Sequence, residues 1–149
     1  MKIRKASKKD AEDIANIEWE SGYLWNENKK ECLKLARRIF YEGYCEVYVL
    51  EDSRDKIGYF AISQKGKLFY LNFFAIRKKF QGRGFSKLMM NKTIYLAKQN
   101  KMRAIELTVW GKNFPAISLY TKYGFYVTDI KRKYYKNGDD KLRMRKELK

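Results

Sequence analysis

The chain has 149 residues, enough for one ordinary domain with a complete core, and its 45% hydrophobic content argues against disorder. A total of 34 Lys and Arg against 17 Asp and Glu leaves a charge of +17, a field that draws nucleic acid, acidic protein surfaces or a phosphorylated cofactor. Histidine is absent, which excludes a Ser-His-acid triad, and two cysteines without any other soft ligand exclude a metal site.

Cys32 and Cys45 point to a reduced, cytoplasmic setting rather than a disulfide scaffold. No apolar leader opens the chain and no run approaches transmembrane length, so no membrane partner is expected. No lysine cluster is dense enough for a nucleic-acid arm, and most lysines read as a solvated surface.

The pattern Lys2 to Ala6 predicts a short first strand. Ser7 and Asp10 form a capping-box pair that opens a helix to about Glu20, with Ile14, Ala15, Ile17 and Trp19 on its apolar side. A break, Gly22 to Asn26, carries aromatics that either cover a pocket or anchor the helix pair. Asn26 or Asn28 caps a second helix to about Tyr41. Strands follow at Cys45 to Leu50 and Ile57 to Ile62, the first two members of an antiparallel meander.

The meander closes with the nearly unbroken apolar run Leu68 to Ile76, which predicts a buried central strand. Behind it, Gln81-Gly82-Arg83-Gly84-Phe85-Ser86 leads into a helix from about Gly84 to Asn100. A strand, a glycine turn and a helix present main-chain N–H groups to an anion, and Arg83, Lys78, Lys79 and Lys87 add charge. Glycine lets a phosphate approach the backbone, although a plain turn needs the same residue. The loop fits neither G-x-G-x-x-G nor a G-K-[ST] ending.

Ala104 to Val109 predicts a further strand, parallel to the central one. Asn113 caps a helix that starts at Pro115 and stops before Gly124. Phe125 to Arg132 and Lys141 to Leu148 form a last hairpin whose loop holds Tyr134, Tyr135 and an Asn137-Gly138 turn. The glycine loop and Asn113 thus sit at the C-terminal ends of adjacent parallel strands, where an open α/β sheet binds its ligand.

These residues also carry a resemblance. Phe80 to Ser86 resembles the acyl-coenzyme A signature Q/R-x-x-G-x-G/A of the GNAT superfamily of N-acetyltransferases, with Ser86 at the small final position. Asn113 to Tyr120 with Gly124-Phe125 is similar to the second signature, N-x-x-A-x-x-L-Y followed by G-F. Tyr134 to Asp140 with Met144 is similar to the YY-x-x-G-x-D-A segment of the ribosomal-protein alanine and protein N-terminal branches, with Lys141 in place of alanine.

The resemblance covers the whole chain in order and implies an α/β (α+β) fold: a single acyl-coenzyme A N-acyltransferase domain over residues 1–149. The sheet is expected to be mixed and mostly antiparallel, of about seven strands with about four helices, splayed into a V between strands 4 and 5. It implies acetyl-coenzyme A as cofactor, its pantetheine arm on Phe74, Ala75 and Ile76 and its pyrophosphate on Gln81, Gly82, Arg83, Gly84, Phe85 and Ser86. It further implies that Asn113 contacts the arm and that Tyr120 lies near the thioester sulfur.

Acyl transfer to an amine needs a neutral amine, a polarised carbonyl and a protonated leaving thiolate. A strand N–H serves the second need and a tyrosine hydroxyl the third, which makes Tyr120 the general acid and requires no covalent intermediate. Relatives often carry glutamate or histidine five residues before the signature asparagine; here Thr108 stands there and cannot act as a base. Glu106 acts through water in one reading, and in another Tyr70, Asn72 and Thr108 hold an ordered water chain. Tyr23, Trp25, Tyr134 and Tyr135 line the acceptor channel.

The missing strong base favours an α-amine, so the expected acceptor is a protein or peptide N-terminus. A polyamine or aminoglycoside is the alternative, and it needs a local acidic mouth from Glu20, Glu27, Asp139 or Asp140. A non-enzymatic nucleic-acid or ribosome-surface module rests on charge alone. Monomer and homodimer both stay open.

Overall fold

The computed structural model describes residues 1–22 and 28–149. The chain gathers into two compact units, Met1–Ser63 with Asn72–Thr93 and Gln64–Leu71 with Ile94–Lys149.

In the first unit, β1 (Lys2–Lys5) precedes a turn in which the Ser7 N–H donates to Asp10 Oδ2 at 2.8 Å. The capping pair therefore opens a single 3-10 turn, Lys8–Asp10, that runs into α1 (Ala11–Ser21). Asn28 is the cap of α2 (Lys29–Glu42), accepting from the Glu31 N–H at 3.1 Å. Cys32, Ala36 and Ile39 recur at helical spacing on one face of α2 and are buried together with Ile14, Ala15 and Ile17 of α1.

Two antiparallel strands, β2 (Glu46–Glu51) and β3 (Lys56–Lys65), add Val47, Tyr59 and Ala61 to that core. Arg4 ties β1 down by donating to Asp10 at 2.8 and 3.0 Å and to Glu51 at 2.8 and 2.9 Å. Burying Ile14, Ile17 and Ile39 is worth about 1.5–3 kcal/mol each, against about 1 kcal/mol at most for a surface pair such as Lys34–Glu31. Apolar burial holds this unit.

The strand β4 (Leu68–Ile76) starts in the second unit and ends in the first, with the bounds predicted from its apolar run. It is less buried than that run implies, since Asn72 is exposed and Tyr70, Phe73 and Phe74 are half-buried. At its end the Arg77 N–H donates to the Ile57 carbonyl at 3.0 Å. Beside it, β3 carries Gly58, where a Cβ would lie 2.7 Å from the Ala75 carbonyl oxygen. Only glycine permits that approach. The helix α3 (Phe85–Gln99) likewise starts in the first unit and finishes in the second.

In the second unit, β4 pairs in parallel with β5 (Ala104–Trp110) from Leu68↔Ala104 to Leu71↔Leu107. Next come α4 (Phe114–Lys122), β6 (Tyr126–Lys131) and β7 (Lys141–Glu147). The last two strands are antiparallel, as expected, and β7 is the member that adjoins β5. The sheet order is β1-β2-β3-β4-β5-β7-β6, a mixed α/β arrangement with one parallel pair and four antiparallel pairs in the described registers. All six residues of the edge strand β6 are exposed. Among the described residues no helix is long and apolar enough to cross a membrane, and no His, Cys, Asp or Glu cluster is placed to hold a metal.

Candidate active site

The predicted site residues fall in both units. In the first, Ala75 and Ile76 end β4 as buried residues, and Phe74 before them is half-buried. A short turn, Lys78–Phe80, buries the Phe80 ring edge-on to Phe85 with centroids 5.9 Å apart. Gly82 and Gly84 follow at φ 72° and 86°, and α3 starts at Phe85.

Both glycines adopt the left-handed backbone that a Cβ disfavours, while the space where that Cβ would stand is open. Backbone conformation is thus the immediate requirement, and the open space is what an approaching ligand needs. The first turn of α3 contains no carboxylate, so the positive end of its dipole is uncompensated. The Arg83 guanidinium lies over Phe80 and Phe85, 5.6 and 5.7 Å from their centroids, and adds its charge to the loop.

Gln81 has a role that the sequence did not disclose. Its side-chain amide donates to the carbonyls of Ser21 and Ile76, both at 2.9 Å, and so fastens the end of α1 and the end of β4 to the loop. Asn72 also belongs to this unit; it is exposed and accepts from the Ser63 hydroxyl at 2.8 Å.

Also in the first unit, the buried Tyr59 donates to the half-buried Glu18 carboxylate, a pair that hydropathy on α1 did not single out. Burial pushes the Glu18 carboxyl above its ordinary range, although the Tyr59 hydrogen bond opposes the shift. Burial also pushes the Cys45 thiol up to about 11, which keeps it neutral and unreactive near pH 7.

The second unit holds the proposed proton donor. Asn113 caps α4 by accepting from the Ala116 N–H at 3.2 Å, with Pro115 in the first turn, as the sequence predicts. Two turns on, Tyr120 is 6% exposed and its ring leans on Phe125 at 5.7 Å between centroids. Desolvation pushes its phenol well above the ordinary value, so the hydroxyl stays protonated across the working pH range.

On β5, Glu106 accepts from the Arg145 guanidinium at 2.8 Å, an ion pair that competes with any role as a base. Tyr70 stands opposite Glu106 in the register and is half-buried, and Thr108 is exposed. Tyr70, Thr108 and Glu106 therefore share one unit, whereas Asn72 lies in the other. Tyr23 and Trp25 lie outside the described residues.

Tyr134 and Tyr135 pack edge to face at 5.0 Å in the β6–β7 loop, with the Lys141 ammonium 4.2 Å from the Tyr134 centroid. The loop is pinned to the end of β5. The Trp110 indole donates to Asp139 at 2.9 Å, Lys112 pairs with Asp139 at 2.7 Å, and the Gly111 N–H donates to the Asp140 carbonyl at 2.9 Å. Lys112 holds the Asp139 carboxyl below its usual range. Glu20 pairs with Arg77 at 3.5 Å, so the described acids suggested for an acidic mouth are already engaged.

Residues 20–148 match the family described as acetyltransferase (GNAT) domain. A Bacillus subtilis (strain 168) protein assigned as a ribosomal protein bS18-alanine N-acetyltransferase is 26% identical over 103 residues, 68% of this chain and 58% of that protein. The chain thus spans less than two thirds of that relative's length. Among solved structures, Ard1 from Thermoplasma volcanium superposes with a TM-score of 0.80 at 24% identity, covering 99% of this chain and 97% of that one. The ribosomal-protein-S18-alanine N-acetyltransferase of Escherichia coli gives a TM-score of 0.83 at 18% identity, covering 99% and 93%. Those two likenesses are likenesses of fold.

Proposed function

Because the chain belongs to the acetyltransferase (GNAT) domain family, we propose that it moves the acetyl group of acetyl-coenzyme A to a protein or peptide N-terminal amine. Residues 1–149 act in this reading as one acyl-coenzyme A N-acyltransferase domain. The observation that carries it is the left-handed Gly82/Gly84 turn, open where a Cβ would stand and leading into a helix with no acid in its first turn. That turn fits a diphosphate, which the main-chain N–H groups from Gln81 to Ser86 and the Arg83 charge would hold.

When bound, the thioester supplies an activated acetyl group that a neutral amine attacks directly. Main-chain groups of Phe74, Ala75 and Ile76 would bind the pantetheine arm, and the family signature assigns the Asn113 side chain, already a helix cap, to the same arm. Tyr120 Oη would deliver the proton that the departing sulfur takes up. The raised phenol value keeps the hydroxyl protonated but makes it a weaker acid toward a thiolate, so the transfer depends on the sulfur's negative charge developing beside it.

An α-amine is the acceptor this constellation suits. At pH 7.5 about a third of an α-amine is neutral, against roughly one part in a thousand of a lysine side chain. Thr108 cannot act as a base and Glu106 is held by Arg145, so an acceptor that is largely neutral beforehand is favoured. Tyr70 and Thr108, which share the second unit, would take the lesser task of ordering the water that removes the second amine proton. The Bacillus relative's assignment to an alanine of a ribosomal protein supports the same class.

A thiol-release screen with acetyl-coenzyme A separates this acceptor from small amines. Short peptides with free N-termini are expected to turn over, and spermidine-like polyamines and aminoglycosides are not. Turnover of a small amine with none on any peptide overturns the assignment.

A further inference from the structure

We infer that the β6–β7 loop selects acceptors carrying carboxylates in the first few residues behind the reacting amine, an inference that rests on the N-terminal acceptor reading above. The loop and the proposed proton donor share one end of β5. Residues Trp110, Gly111 and Lys112 hold the loop through Asp139 and Asp140, and the next residue, Asn113, caps the helix that bears Tyr120. A segment entering at that end of the strand meets the loop's charges.

Those charges are cationic and available. Lys131, Arg132, Lys133 and Lys136 are exposed and make no ion pair among the described residues. The acids that would offset them are turned to structural work. Asp139 takes the Lys112 ammonium, the Trp110 indole and the Asn137 amide, while Asp140 accepts the Lys133 N–H at 3.0 Å. Asp129, on the edge strand, is the remaining carboxylate nearby in sequence.

The pins also fix where the cations stand, because the loop cannot fold back on its own acids. A Cβ at Gly111 would come within 3.1 Å of the Asp140 carbonyl, so the loop lies directly on the β5–α4 turn. The tyrosines favour a peptide over a nucleic acid as the anion. Lys141 stands over the Tyr134 ring and Tyr135 packs edge-on against it, leaving no platform of parallel faces for stacked bases.

Exposed charge pairs act weakly one at a time, so the selectivity should come from several together and should fade as salt screens them. Matched peptides, Ala-Glu-Glu-Glu and Ala-Lys-Lys-Lys with a common neutral tail, test this in steady-state acetylation at low and high NaCl. The expected result is a kcat/KM on the order of tenfold higher for the acidic peptide at low salt, carried by KM and shrinking at high salt. A Lys131→Glu, Arg132→Glu, Lys136→Glu variant should reverse the order while keeping the thermal shift given by acetyl-coenzyme A, which shows that it is folded.

Equal kcat/KM for the two peptides, or a preference for the lysine peptide, overturns the inference and leaves the N-terminal acceptor standing. No turnover of either peptide overturns both. Competition by a short RNA at lower concentration than the acidic peptide would reassign the loop to nucleic acid.

Discussion

Tyr120 joins two properties that a proton donor needs, a hydroxyl that stays protonated and a ring fixed by packing against Phe125. Tyr120→Phe keeps the ring and removes only the oxygen. Turnover is expected to fall about 10²–10³-fold with acetyl-coenzyme A affinity changed less than about twofold, measured by initial rates beside calorimetry. With the phenol raised, kcat/KM should climb as the acceptor amine loses its proton and then stay level to beyond about pH 9.5. Glu18 makes a second case, of stability rather than chemistry. Its carboxyl is raised by burial, so its favourable contribution is full below the unfolded value near 4.5 and is lost as pH climbs through the folded one. Glu18→Gln keeps an acceptor for the Tyr59 hydroxyl without a buried charge. Thermal melts should show the variant more stable than the parent at pH 8 and level with it at pH 4. Asp10 has the opposite sign: Arg4 holds it at about 2, so its contribution is present above the unfolded value near 3.8 and fades as pH falls toward 2.

Elements divide into those that local rules define and those that charge pairing defines. The bounds of β4, the Asn113 cap of α4 and the glycine turn before α3 were legible, because each depends on neighbours in sequence: an apolar run, a capping side chain, a left-handed residue. The place of β7 was not. Its residues, Lys-Leu-Arg-Met-Arg-Lys-Glu, are more charged than those of β6, yet β7 is interior and β6 is the edge. Arg145 explains this, since it reaches Glu106 on β5 and Glu147 on its own strand, while Met144 is buried. Such cross-strand satisfaction cannot be read from hydropathy. The same holds for Gln81, whose signature position suggested only a main-chain donor, and for Gly58, visible in sequence only as a glycine inside a strand. At the turn itself, Gly84→Ala meets open space but a φ of 86°, so the strain of about 1–2 kcal/mol is conformational. The melting temperature should drop by about 3–6 °C, and acetyl-coenzyme A affinity should fall at least about tenfold as the amides tilt away. A variant that melts lower yet binds the cofactor as tightly would place the diphosphate elsewhere.

At the scale of the molecule, a charge of +17 on 149 residues works against the compact state and for the ligand. Like charges spread over a surface repel within a Debye length, which shrinks from about 30 Å at 0.01 M salt to about 8 Å at 0.15 M. Added salt therefore relieves the repulsion. It also weakens exposed pairs such as Lys34–Glu31 and Arg38–Glu42, but these are worth about 0.5 kcal/mol each, and the half-buried Arg4–Asp10–Glu51 cluster is screened less. Repulsion should win, so the melting temperature of the protein alone is expected to rise between 0.01 and 0.15 M NaCl. The increment given by acetyl-coenzyme A should shrink over the same range, because an anionic ligand gains from the unscreened field and from Arg83 at the glycine turn. Scanning calorimetry with and without cofactor at both salts reads the two trends together. A melting temperature that falls with salt in the protein alone would mean that native ion pairs outweigh the excess of lysine and arginine. A cofactor increment that ignores salt would mean that the main-chain N–H groups and apolar contacts, not the cationic surface, hold the ligand.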